Sequence, residues 1–197
     1  MPDQVPGFGG DESDAIDGTF ADRLDGLDGA SLTFVSLGTP NSREMHAALE
    51  TLLADQYGVD SLDYYEKAHF SRPLSDEDVD TIVGDDVDGV IEGFALCGSC
   101  NSSSSVDAIA FENHGVSTVQ IISEDFLDLN RKISGSYGYD QLPLVTIPQS
   151  TKYDSEAEIE SLMDDIAAHL AAMLTCADCV AGDCGAHGDR QVQAADD

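Results

Sequence analysis

Five short runs of β-favouring residues succeed one another along this chain, with segments of helical spacing between and after them. The runs are SLTFVSLG (31–38), the weaker VDSLDYY (59–65), DGVIEGFAL (88–96), VSTVQII (116–122) and LPLVTIP (142–148). Helices are expected over 42–56, 75–83, 103–115, 124–138 and 155–174. The last carries Ile159, Leu162, Met163, Ile166 and Leu170 on one face and opens on a Ser155–Glu158 capping box. Strands separated by helices cannot pair as tight hairpins, so the sheet must be mostly parallel, with crossover helices covering its faces. The pattern predicts an α/β three-layer sandwich with a mostly parallel five-stranded sheet, flavodoxin- or Rossmann-like, in the order 2-1-3-4-5. In such sheets ligands bind beyond the carboxyl ends of the strands, at the switch point between strands 1 and 3. Residues 1–29 read as an acidic flexible leader, 30–174 as the α/β domain and 175–197 as a short Cys- and His-rich tail.

Charge narrows the partners. Thirty-nine acidic residues against eight basic ones give a formal net charge of -31. That field repels nucleic-acid phosphates and anionic lipid, so neither nucleic acid nor membrane is an expected partner. The acids are spread through segments of good apolar periodicity, unlike a disordered acidic tail. Adaptation to molar salt accounts for this, since counterions there screen self-repulsion within about 3 Å. No run of about eighteen apolar residues is present. The N-terminal segment lacks the basic start and apolar stretch of a signal peptide, which predicts a cytoplasmic protein. The oligomeric state is left open.

The chemistry-bearing residues cluster. Cys97-Gly98-Ser99-Cys100 follows the third strand and opens a helix. A thiol there faces unpaired N–H groups and the positive end of the helix dipole, which stabilise its thiolate. A second thiol three residues on can resolve a mixed disulfide. The alternative is a buried structural pair with the neighbouring serines as plain caps. Gly38-Thr39-Pro40-Asn41-Ser42, after strand 1, is either an anion cradle or a simple Asn41–Glu44 capping box. Glu124, after strand 4, is a candidate general acid or base, though acidic residues favour helix N-termini in any case. In the tail, Cys176, Cys179, Cys184 and His187 are four soft ligands within twelve residues, suited to tetrahedral zinc. The same cysteines could instead form a dithiol arm or stay unligated. No nucleotide-cofactor motif is present.

The order "SLGTPNS", "DGVIEGFALCGSC", "HGVSTVQIISEDF" and "LPLVTIP" over residues 31 to about 150 resembles the UGSC family. That family is named for a selenocysteine-Gly-Ser-Cys signature and is related to the selenoprotein B subunits of glycine and betaine reductases. The resemblance places Cys97 at the selenocysteine position and Cys100 at the signature's cysteine, and implies Cys97 as the nucleophile or redox centre. The chain departs from the family pattern at Leu96, where Asp is common, and at Asn101, where Thr is common. It also has Pro148-Gln149-Ser150 where a His-Pro pair is usual.

Together these readings predict a thiol-dependent reductase or lyase acting on a small carboxylated substrate. Cys97 would attack, Cys100 would resolve, and Thr39, Asn41, Gly98 and Ser99 would orient the substrate. Glu124 would transfer a proton, and a thiol reductant protein would re-reduce the pair. The alternative is a non-catalytic zinc-binding or partner-docking module. Folding itself should depend on salt. Lowering ionic strength from about 1 M to about 0.01 M lengthens the screening distance roughly tenfold. Circular dichroism during that dialysis should lose its cooperative melt, and an unchanged melt would reject the salt-adapted reading.

Overall fold

In a computed structural model the described residues are 18–84, 86–148 and 155–180. The strands are β1 (Ser31–Ser36), β2 (Ser61–Glu66), β3 (Gly89–Ala95), β4 (Ser117–Ser123) and β5 (Leu144–Ile147). The helices are α1 (Ser42–Tyr57), α2 (Asp76–Val83), α3 (Gly98–Asn113), α4 (Leu127–Ser136), α5 (Glu156–Thr175) and the short α6 (Ala177–Val180). Every ladder is parallel and the order is β2-β1-β3-β4-β5, as the alternation of elements predicts. No helix among the described residues is long and apolar enough to cross a membrane.

The pleat sorts the core into two layers. Phe34, Ile91, Val119 and Ile121 face α1 and α5, where they meet Met45, Leu49, Met163 and Ile166. Their strand neighbours Val35 and Val90 face the other way, onto Val79 and Ile82 of α2 and Phe111 of α3. The first layer is a conventional apolar core. The second is different, because α3 buries Asn101, Ser103, Ser104, Ser105, Asp107 and Glu112 among its apolar residues.

Some boundaries differ from those the sequence suggests. α3 begins at Gly98 rather than 103, because its first turn is held by a sulfur cap and buried hydroxyls rather than by apolar spacing. The helix expected over 124–138 is a 3-10 turn at Glu124–Phe126 followed by α4. The Ser155–Glu158 capping box forms as expected.

Residues 18–30, within the stretch expected as a flexible leader, are packed across the amino ends of the strands. Arg23 is the pin. Its side chain is 4% exposed and pairs with Glu112, which is fully buried. Glu112 also accepts from Ala21 N at 2.8 Å and Thr118 N at 2.8 Å. Leu24 N donates to the Leu174 carbonyl at 3.0 Å, tying the segment to the end of α5. Removing one partner of a buried pair leaves the other charge uncompensated, at a cost of about 3–5 kcal/mol. Arg23→Ala should therefore lower the urea midpoint by a loss of that size. A change under about 1 kcal/mol, as for an exposed pair, would show that the segment contributes nothing to folding.

Candidate active site

The switch point between β1 and β3 brings two loops together. Leu37 N, just past β1, donates to the Gly93 carbonyl at 3.2 Å. The Leu37 side chain packs with Ala95, Cys100, Ile122 and Leu144, and Cys97 lies against this cluster. Sequence reading placed the Cys97–Cys100 loop beside the β1 loop, and these contacts put it there.

Cys97 is the N-cap residue of α3, in an extended conformation. Its Sγ accepts from Cys100 N at 3.2 Å and lies 3.5 Å from Ser99 Oγ. Sulfur thus takes the place that a Ser or Asp oxygen usually holds at a helix start, where the first N–H groups have no helical partner. The two cysteines are joined as a disulfide, with their Cα atoms 5.1 Å apart. They are unequal in access: Cys97 is half-buried, whereas Cys100 is only 4% exposed. A Cβ at Gly98 would make ordinary contacts, 3.7 Å from Phe126 and 3.8 Å from Leu129, so the segment after β4 lies against the turn.

The UGSC family model matches residues 6–176. The chain belongs to the UGSC family. No curated protein matches it. The match spans the whole of the α/β body and so includes Cys97-Gly98-Ser99-Cys100.

The remaining expected site residues are placed unequally. Asn41 is in the left-handed region, with φ 63°, and its side chain makes no capping bond. The expected Asn41–Glu44 capping box is therefore absent, because the left-handed turn takes the Asn side chain out of capping position. A hydroxyl pair stands in its place: Thr39 Oγ1 and Ser42 Oγ are 2.8 Å apart, and Ser42 Oγ donates to the Thr39 carbonyl at 2.7 Å. Asn41 stands at one end of a groove of about 920 Å³ between α1 and α5, floored by Ala48 and Leu52 and edged by Glu44 and Asp164. Glu124 is exposed on the 3-10 turn after β4, and the contacts from that segment to Gly98 come from Phe126 and Leu129 instead.

The tail cysteines lie at the other edge of the sheet. Ser117, the first residue of β4, donates its hydroxyl to the Leu174 carbonyl at 3.0 Å, so α5 ends at the amino ends of the strands. A seven-residue strand such as β4 spans roughly 20 Å, which separates that edge from Cys97. Cys176 is a free thiol whose Sγ accepts from Cys179 N at 3.3 Å, and Cys179 is disulfide-bonded. Zinc binding through Cys179 would first require reduction, since the thiolate is the ligand. Cys184 and His187 lie outside the described residues, among which no group of three potential metal ligands occurs.

A buried ionic cluster behind the cysteines was not foreseen. Lys67, just past β2, donates from Nζ to Ser103 Oγ at 2.7 Å and to Asp107 Oδ2. Asp107 Oδ1 accepts from Leu74 N at 2.7 Å. Beside Asp107 lies Glu92, at the centre of β3 and fully buried, with no donor reaching either carboxyl oxygen. Its carboxyl is raised well above the usual range, first by burial and then by the Asp107 charge. Both influences favour the protonated form of Glu92 over the carboxylate. The signal in the sequence was Glu92, the one acidic residue within the apolar run VIEGFAL.

The sign of the pH effect follows. Glu92 binds its proton more tightly folded than unfolded, so its contribution to stability is full below the unfolded value near 4.3. It is lost as pH rises toward the folded value. Glu92→Gln has no carboxyl proton to lose and so removes that loss. The stability of this variant relative to wild type should grow by about 1.4 kcal/mol per pH unit across the window. Urea melts in high salt at several pH values measure the slope, and parallel curves would place a charged Glu92 in the fold.

Proposed function

We propose that this chain is a thiol-dependent oxidoreductase in which Cys97 is the attacking sulfur and Cys100 the resolving one. The observation that carries the reading is the asymmetry of the pair. Cys97 Sγ is reachable from outside and accepts an N–H at a helix start, while Cys100 is enclosed one turn into the helix. Backbone N–H donation and the helix dipole stabilise the thiolate form of Cys97 and improve it as a leaving group. Burial keeps Cys100 from external electrophiles yet within bonding distance of Cys97. Family membership supports the same assignment, since the signature that names the family falls on these residues.

In the reductive direction, Cys97 thiolate attacks an electrophilic sulfur or carbon of a small carboxylated substrate and breaks its bond to a leaving group, which departs with the bonding pair and takes up a proton. Cys100 then displaces the substrate-derived group and closes the disulfide, and an external thiol re-reduces it. The hydroxyls of Thr39 and Ser99 and the amide of Asn41, near the two helix starts that meet at the switch point, are suited to hold the substrate carboxylate. The chemistry is a reductase where the Cys97 adduct is resolved by Cys100, and a lyase where it eliminates.

Labelling tests this directly. In fully reduced protein, Cys97 should react with iodoacetamide at neutral pH about tenfold faster than Cys176, since each unit of pKa depression changes the thiolate fraction by that factor. Mild oxidation should join Cys97 to Cys100 first. Cys97→Ser should abolish turnover, whereas Cys100→Ser should retain a mixed disulfide or adduct at Cys97, visible by mass spectrometry. Labelling of Cys97 only above about pH 8.5, at the rate of an ordinary thiol, would overturn the nucleophile assignment.

A further inference from the structure

In a chain with 39 acidic residues among 197, the stretches that leave the carboxyl ends of β1, β2 and β3 hold none. Residues 37–43, 67–75 and 96–106 contain no Asp or Glu, yet carry Arg43, Lys67 and Arg72. The segment after β4 is different, with Glu124, Asp125 and Asp128. Most cations among the described residues pair with carboxylates: Arg23 with Glu112, Arg43 with Glu66, Lys67 with Asp107 and Arg131 with Asp128. Arg72 and Lys132 have no such partner among the described residues, and Lys132 stands on α4, past β4. None of Asp76, Glu77 and Asp78, which open α2, pairs with Arg72.

Arg72 belongs to an exposed loop, residues 68–73, between β2 and α2. Both roots of the loop are fixed to the walls of the cysteine site. Lys67 N donates to the Ser36 carbonyl at 3.0 Å, at the end of β1. The next residue of that strand, Leu37, packs with Cys100 and Cys97. Leu74 N donates to Asp107 Oδ1 at 2.7 Å, on the helix that Cys97 caps. Between the roots, Arg72 N donates to the His69 carbonyl at 3.4 Å and closes a turn. Two strand spacings, about 10 Å, separate the end of β2 from the end of β3. The loop also carries Phe70, a large apolar side chain that is 52% exposed.

We propose that Arg72 selects an anionic substrate at the Cys97–Cys100 site, pairing with the substrate carboxylate while Phe70 covers the pair. The proposal rests on the thiol-dependent reading above and supplies the cation that reading lacks. Backbone N–H groups and hydroxyls at the switch point donate hydrogen bonds but carry no full charge. The field of a chain with net charge -31 meanwhile repels an anion. An arginine offers a carboxylate two parallel donors and a permanent positive charge. In molar salt that charge is screened within about 3 Å, so Arg72 acts on contact rather than by steering from a distance. Apolar cover from Phe70 keeps water and counterions from the pair and so strengthens it.

The test uses full-length protein, fully reduced, in molar salt at neutral pH, with two alkylating probes of similar size. Iodoacetate is an anion and iodoacetamide is neutral. Peptide mass spectrometry gives the rate of each at Cys97 and at Cys176, whose place at the other edge of the sheet makes it the reference for the field of the whole chain. The ratio of iodoacetate to iodoacetamide rates should be higher at Cys97 than at Cys176. Arg72→Ala, checked for native circular dichroism, should lower the iodoacetate rate at Cys97 about tenfold and leave the other three rates unchanged. Arg72→Lys should keep part of the preference, Phe70→Ser should lose a smaller part, and Lys132→Ala should lose none. An unchanged ratio in Arg72→Ala, an equal loss with both probes, or an equal loss in Lys132→Ala would overturn the anion role and leave the nucleophile reading standing. If Cys97 reacts with iodoacetamide no faster than Cys176 even in wild type, the nucleophile reading falls and takes this proposal with it.

Discussion

A helix enclosed by the sheet and its neighbours, yet composed largely of serine, asparagine and acidic residues, sets the terms for half of this structure. Buried polar groups need partners, and the cost of leaving one unpaired exceeds the gain from making it. Each polar position of α3 therefore draws in a group from elsewhere. Asn101 and Ser105 meet Asn130 of α4, which also bonds Gln120 of β4 at 2.8 Å. Ser103 and Asp107 engage Lys67, and Glu112 engages Arg23. The opposite face of the sheet needs none of this, because α1 and α5 bury an apolar stripe. One layer is held by area, the other by matched hydrogen bonds that tolerate little displacement.

The same helix carries the disulfide-bonded cysteines at its start. A rigid α3 keeps Cys97 aligned with its own first N–H groups and holds Cys100 at a fixed depth. The protein as a whole is a poor host for an anion, with a net charge of -31. The switch point offsets that locally, since α1 and α3 both begin there and present amide N–H groups and hydroxyls. In molar salt the distant carboxylates are screened beyond about 3 Å, and only the groups lining the site decide what binds. Extreme surface charge and a site for a carboxylated ligand are therefore compatible.

Much of the frame was legible in the chain. Alternating strand and helix patterns imply a parallel sheet, and the strand order followed from the fold class. Cys97 at the end of the most apolar strand, with Cys100 one turn on, marked the reactive edge. Other local readings failed where a longer-range contact intervened. Asn41 adopts a left-handed conformation, so the expected Asn41–Glu44 capping box does not form, and Thr39 and Ser42 instead tie the turn together through their hydroxyls. Residues 18–29 read as part of a flexible leader, but Arg23 finds a buried carboxylate 89 residues away in sequence. The serine-rich start of α3 has no apolar period to read, since its helix is held by a sulfur cap and buried hydroxyl bonds.

Periodicity, helix caps and the spacing of the two cysteines are properties of neighbouring residues, so the sequence by itself determined the strands, most helices, the parallel sheet and the place of the cysteine pair. Which polar residues meet inside the protein is a property of the packed chain. Lys67, Ser103 and Asp107 each alone read as ordinary surface or capping residues, and only Glu92, set in an apolar strand, stands out. Only the sheet order and the rotation of α3 bring them together, and only burial makes their charges interact strongly enough to shift their ionisation. Tertiary structure decided that cluster because desolvation, unlike spacing, exists only once the chain has folded.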